Sequence, residues 1–479
     1  MGWSRIVIAG SAFGVGCSLF TVRPADCTSN QQCRDSFGFG SVCGDDGLCA
    51  TTEIPDRCQT RTPADLAFPL DPSTHPIGTL FDHTLDTHIG RYRSVDLATG
   101  QANGNGGLDG ESFVTIHCTI EEGTGYDDLT KSDAAVTMGD WLANEVGVPA
   151  IVGPAASSDT EAVYNAVSLD YGTLLVSPSA TSPSLTTLDG LSSTDADPGL
   201  LWRTAPPDDL QGIAIAWDMN TNTSTYRPEP PQRVAVIYQT GAYGEGLEAT
   251  FTDAFAGYGG EATPFPFESA GGPSEAIAEA AFGFDEVLFI SSDVGDVVAF
   301  LLGAKNLASF QDLPLFLTDA ARNTDVLTEA ADASGLFDQI RGTGPANPSG
   351  TVFTQFASAY GSKYGGDDVS VLSFTAQSYD AAWLVMYGHA WARYQEDAIT
   401  GTTIARGLRR VSSGPPIDIR PLSWNDVKAQ FAEHASIDVV GASGDLDYDP
   451  VTAETTAPID VWVIVGDDTF LTVENVDPE

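Results

Sequence analysis

A chain of 479 residues exceeds one average hydrophobic core and predicts two or three domains. Its 66 acidic residues against 21 Lys and Arg leave a formal net charge of −45, which argues against a nucleic-acid partner, because phosphate contacts need clustered cations. The acidity reads as a solvated, self-repelling surface, while a 42% hydrophobic content is ordinary for a globular protein.

The opening MGWSRIVIAGSAFGVGC places Arg5 ahead of an apolar run too short to span a bilayer. Small residues then lead to Cys17, an arrangement that resembles a bacterial lipoprotein signal, with Gly14 where that box usually carries Leu. Cleavage there would make Cys17 the lipidated first residue of the mature chain. Ser18 after it resembles outer-membrane-directed lipoproteins, so the expected location is the envelope of a Gram-negative-type bacterium. No other stretch approaches transmembrane length, and attachment by lipid alone is expected. Six further cysteines (Cys27, Cys33, Cys43, Cys49, Cys58 and Cys118) form an even set suited to disulfides in an oxidising compartment.

Residues 27–49 combine short Cys spacings, Gly-rich turns and almost no aliphatic side chains, which predicts a two-bridge microdomain. The spacings are poor for zinc and no histidine is near. Residues 51–74, rich in Thr, Pro and Asp, read as a linker. From His75 onward strands and helices alternate, the pattern of parallel sheets covered by helices. A first strand over 76–81 leads to a helix ending near Ala102, a glycine-rich turn at 103–110 and a strand over 112–118. That turn is read as structural, because no bidentate Glu closes it into a calcium loop.

The most informative stretch spans 150–186. An apolar strand at 149–152 ends in the small-residue loop GPAASS. A helix runs to Tyr171, and a second strand at 174–176 ends in SPSATS. Parallel connection puts both loops at the carboxyl edge of one sheet, where open α/β folds bind ligands. Ser157 and Ser158 then begin a helix whose amide groups suit a carboxylate.

Further strands are expected at 233–238, 286–291 and 313–318, with Tyr243, Asp293 and Asp319 on the loops or turns that follow them. Residues 374–387 predict a strongly apolar helix, and 459–465 a last strand. The DLDYD run at 445–449 is read as a turn, because Pro450 stands where a calcium loop needs Gly.

GPAASSDT, SPSATSPSLT, LWRTAPPDDLQG, YGEGL, the Tyr379–Asp380 pair and GASGDLDYDP together resemble the type I periplasmic binding proteins of the branched-chain amino-acid receptor group. The resemblance covers His75 to the end. It implies an α/β fold of two Rossmann-like lobes with parallel sheets and a multi-strand hinge, preceded by the disulfide-rich segment. The implied division is 1–17 signal, 18–74 Cys-rich segment and linker, 75–208 with 344–440 first lobe, and 209–343 with 441–479 second lobe.

In those receptors an amino acid lies between the lobes. The resemblance implies a carboxylate held by Ser157 and Thr181 with amides around Ser158 and Thr181. The ammonium would go to a carbonyl near Ser179 in the Ser179–Ala180–Thr181 loop, to Thr181 and to Asp319, under Tyr243 as a lid. Asp293 stands where a second tyrosine is expected and adds a negative charge, which favours a cationic or more polar ligand; its rival role is a helix N-cap. The receptors often carry a cysteine before the serine loop. Ala156 stands there, and this departure motivates a Cys58–Cys118 pair.

Asp82 and His83 are also expected to face the cleft. No cofactor or metal is implied, and no nucleophile elbow, zinc-protease motif or P-loop supports an enzyme. The expected partners are an amino-acid-like small molecule and an ABC-type permease or a sensor. The alternative is a surface interaction scaffold on the same fold, with the Cys-rich module as an extra contact or stand-off tether.

Overall fold

The computed structural model describes residues 26–477 apart from 124, 125, 127, 191–193, 367, 467 and 468. Cys17 and the expected lipoprotein signal lie outside the described residues.

Two sheets organise the chain. The first has six strands in the order Thr60–Thr62, Phe113–Thr119, His75–Phe81, Ala150–Val152, Leu174–Ser177 and Leu201–Arg203. Its first pair is antiparallel and the other pairs are parallel. Its interior strands are buried along their whole length, as expected where helices cover both faces. The second sheet has seven strands: Glu261–Phe267, Arg233–Gln239, Glu286–Ile290, Leu315–Leu317, Ile340–Pro345, Ile459–Val465 and Thr469–Val476. The last two join antiparallel to an otherwise parallel sheet.

The chain passes between the sheets after Arg203, after Pro345 and before Ile459. Arg203 pins two of these passages together. Its Nε donates to Glu454 Oε1 and Oε2 at 3.1 and 3.0 Å, while Nη1 reaches the carbonyls of Ser182 (2.8 Å) and Ala180 (3.2 Å). Helix Thr375–Gln395 is buried from Thr375 to Ala392 and forms the centre of the first lobe's core with Trp202, Trp424 and Phe356.

Two expectations need correction. Residues 51–74 are not a free linker. Thr60–Thr62 extends the edge of the first sheet, Leu66 and Phe68 pack on its core, and Cys58 is bonded to Cys118. Residues 441–458, expected with the second lobe, contribute Ala442, Leu446, Tyr448 and Ala453 to the first lobe's core. The chain enters the second sheet only at Ile459. Asp380 draws that segment in by accepting from Ala442 N (2.8 Å), Ser443 N (2.7 Å) and Ser443 Oγ (2.6 Å). Gly441 permits the approach, since a β carbon there would lie 2.3 Å from Asp380 Oδ2.

The amino-terminal module consists of helix Asn30–Phe37 and the hairpin Ser41–Cys43/Cys49–Thr51, closed by Cys27–Cys43 and Cys33–Cys49. It is docked rather than held off at the end of a tether. Gly40 N donates to Val146 O (2.9 Å), Asn30 Nδ2 to Asn144 Oδ1 (3.0 Å) and Trp141 Nε1 to Glu53 O (3.0 Å).

Candidate functional site

The site is assembled from loops at the carboxyl ends of parallel strands in both sheets, where unpaired backbone groups and helix starts face outward. After Ala150–Val152 the chain turns through Pro154–Ala156 into the helix beginning at Ser157. Ser157 is buried, and its Oγ accepts from Ser182 N at 3.2 Å, tying the two small-residue loops together. Ser158 beside it is exposed. In the second loop Ser179 Oγ donates to Ala155 O (3.0 Å), and Ala180 is fully buried with its carbonyl on Arg203.

Thr181 is 1% exposed. Asp208, whose N donates to Thr181 O at 2.8 Å, is also 1% exposed, and its carboxyl takes a side-chain hydrogen bond from Thr181. Burial and the charge of Asp319 hold the Asp208 carboxyl well above the usual range.

From the second lobe, Asp319 accepts from Tyr243 Oη and, at 3.3 Å, from Gln211 Nε2. Burial raises its pKa, opposed by those hydrogen bonds and by Arg91 across the cleft. Tyr243 therefore has its hydroxyl engaged on Asp319, and Gln211 is fixed in turn by Thr343 Oγ1 at 3.2 Å. Asp208, Asp319 and Tyr243 lie within electrostatic reach of one another, and Asp319 also lines a cavity with Arg322, Gly344, Phe353, Ser373 and Phe374.

Asp293 does not join them. It caps helix Val294–Ala304 by accepting from Asp296 N at 3.2 Å. Its charge acts on Lys131 of the first lobe, whose ammonium lies 3.2 Å from Asp82 Oδ2. Burial works against that ammonium, but Asp82, Asp293 and Asp159 together raise its pKa. The extra negative charge anticipated at Asp293 is thus answered by a lysine. His83, the other anticipated cleft residue, is partly buried, and desolvation takes its pKa down to about 4, leaving it neutral.

Arg91, Asp208 and Gln211 were not anticipated as site residues. Asp208 and Gln211 sit in the LWRTAPPDDLQG crossing, which offered a usable signal. Arg91 lies mid-helix in Asp86–Gly104 with no local motif around it.

The lobes are in contact. Ser182 Oγ donates to Ala242 O at 2.6 Å, and a β carbon on Gly246 would lie 2.8 Å from Ser182 Oγ and 2.9 Å from Pro183 Cδ. Gly246→Val should therefore hold the cleft ajar and weaken ligand binding about tenfold, since overpacking typically costs 1–3 kcal/mol. Titration calorimetry reads this, with unchanged circular dichroism as the control for folding.

Solved structures of similar shape decide the fold. A type 1 periplasmic binding protein from Bordetella pertussis superposes with a TM-score of 0.64 at 20% identity, covering 84% of this chain and 100% of that one. A leucine-binding protein from Thermotoga maritima gives 0.63 at 17% identity, covering 84% and 99%. The fold is that of a type I periplasmic binding protein. No family model matches the sequence.

Among curated proteins, this periplasmic-binding-fold chain is similar to the Leu/Ile/Val/Thr-binding protein of Salmonella typhimurium, 26% identical over 196 residues, or 41% of this chain and 47% of that one. The chain thus spans about half the length of such relatives. The similarity to the Leu/Ile/Val-binding protein BraC3 of Rhizobium johnstonii is longer: 27% over 374 residues, 74% of this chain and 88% of that protein. Each of these relatives is named as a binding protein and none as an enzyme.

Proposed function

We propose that this chain is an extracytoplasmic solute-binding protein that closes its two lobes on one amino acid. The observation that carries the reading is the buried polar set drawn from both lobes: the Thr181 hydroxyl on the Asp208 carboxyl, within electrostatic reach of Asp319 and Tyr243, which are bonded to one another. A buried polar set of this kind is costly when empty, and a zwitterion answers it at both ends. The α-carboxylate goes to Thr181 and the amides around Ser157, Ser158 and Ala180. The ammonium goes to Asp319 and the carbonyl near Ser179, with Tyr243 orienting Asp319. Asp293 acts from the rim.

Relatives named for leucine, isoleucine, valine and threonine support an α-amino acid as the ligand class. Contacts from both lobes make ligand and closed state stabilise one another. That closure serves either delivery to an ABC-type permease or reporting to a sensor. Cys17 supplies the lipid that keeps the protein at the envelope.

Thr181→Ala and Asp319→Ala are each expected to weaken amino-acid binding by about 1.5–3 kcal/mol, the range for a hydrogen bond to a charged group. Calorimetry with an amino acid that binds wild type is the measurement. Undiminished affinity in both variants refutes the assignment.

A further inference from the structure

Arg91 is buried at the cleft on helix Asp86–Gly104. A guanidinium has five N–H groups. Three here have described acceptors, all neutral: Nη1 donates to Ser179 Oγ at 3.0 Å, Nε to Ser373 O at 3.2 Å and Nη2 to Ser373 Oγ at 3.4 Å. The ring of Phe374 lies 5.1 Å from the guanidinium carbon, and Phe374 takes a left-handed backbone, φ 62°, that residues with side chains seldom adopt. Such backbone strain gathers at ligand clamps.

Two other buried arginines are treated differently. Arg203 is paired with Glu454, and Arg227 with Asp218 and Glu286. For Arg91, the described residues place no carboxylate within hydrogen-bond reach, and Asp319 acts on it only through space. Burial lowers its pKa to about 9, so it remains a cation at neutral pH. Once a ligand's ammonium engages Asp319, Arg91 is a desolvated charge with two N–H groups open. An aliphatic side chain leaves it in that state. A carboxylate answers both the charge and the open fork.

Resting on the amino-acid reading above for the α-amino and α-carboxylate groups, we propose that Arg91 selects the ligand's side chain. The cleft takes an α-amino acid whose side chain ends in a carboxylate, with Ser179 and Ser373 holding the guanidinium in place to receive it.

The test is calorimetry of glutamate, aspartate, glutamine and leucine on wild type, Arg91→Met and Arg91→Lys. Wild type should prefer glutamate or aspartate over glutamine and leucine by about 10- to 100-fold, the value of one hydrogen bond between charged groups. Arg91→Met should erase that preference by weakening glutamate and aspartate about 10- to 100-fold more than glutamine and leucine. Arg91→Lys, which keeps the charge without the fork, should retain a reduced preference and serves if the methionine variant does not fold. Leucine or glutamine binding wild type as tightly as the acidic pair overturns the proposal, as does equal weakening of all four ligands by Arg91→Met. In either case the amino-acid reading stands. Absence of binding by all four removes both.

Discussion

Replacing Arg203 with Met should cost about 3–5 kcal/mol of folding stability, the range for breaking a buried ion pair from one side. The loss has two sources. Glu454 is left as a charge only 8% exposed, and the carbonyls of Ala180 and Ser182 lose the Nη1 donor that fixes the second small-residue loop. Glu454→Gln should cost less, because it leaves a neutral group against the guanidinium. The double variant Arg203→Met/Glu454→Leu should recover part of the loss, since an apolar pair of similar volume avoids burying a lone charge. Urea unfolding of the four proteins measures this. Equal stability of Arg203→Met and wild type would mean that the clamp does not hold the crossings together. A ligand-affinity loss larger than the stability change explains would show that the same arginine shapes the binding loop.

Stability should fall as pH rises from about 5 to 7, and Asp380 should account for a distinct part of the fall. Burial pushes its carboxyl up to about 7, against the opposing bonds from Ser443 and Ala442. The sign follows from proton linkage. Between the unfolded pKa of an aspartate, about 3.9, and the folded value, the native state binds more protons than the unfolded one, so raising pH favours unfolding. For one such group the loss between pH 5 and 7 is about 2 kcal/mol. The net charge of −45 adds self-repulsion in the same direction. Asp380→Asn, neutral throughout, should be less stable than wild type at pH 5 yet show a shallower decline toward pH 7. An identical slope in both proteins, read from melting temperatures across pH, would show that Asp380 does not titrate in this window.

Much of the fold is legible in the chain because its signals are local. Apolar strands at 150–152 and 174–177 each run into small polar residues, and that pattern places both loops on one sheet edge without tertiary information. The Cys58–Cys118 pair was open to anticipation through a missing cysteine at Ala156. What escaped was decided at a distance. Thr60–Thr62 is too short and polar to read as a strand; the edge of Phe113–Thr119 makes it one. Residues 441–458 look like surface turn until the carboxylate of Asp380, 62 positions earlier than Ala442, supplies their amide partner.

The candidate site divides the same way. Thr181 and Asp319 follow strands and could be named from pattern. Asp293 could be named too, but its N-cap role and the nearby Lys131 give it another employment. Arg91 had no signal at all, because only the folded chain brings the middle of its helix against Ser179 and Ser373, residues 88 and 282 positions away.

The segment that follows the amino-terminal module is fixed to the first lobe by a disulfide from Cys58 to Cys118, an edge strand on the first sheet and the Trp141 indole on Glu53 O. Three passages join the halves, two of them gathered at Arg203. On the proposed closure the module and this segment travel with the first lobe, and the second lobe moves relative to both.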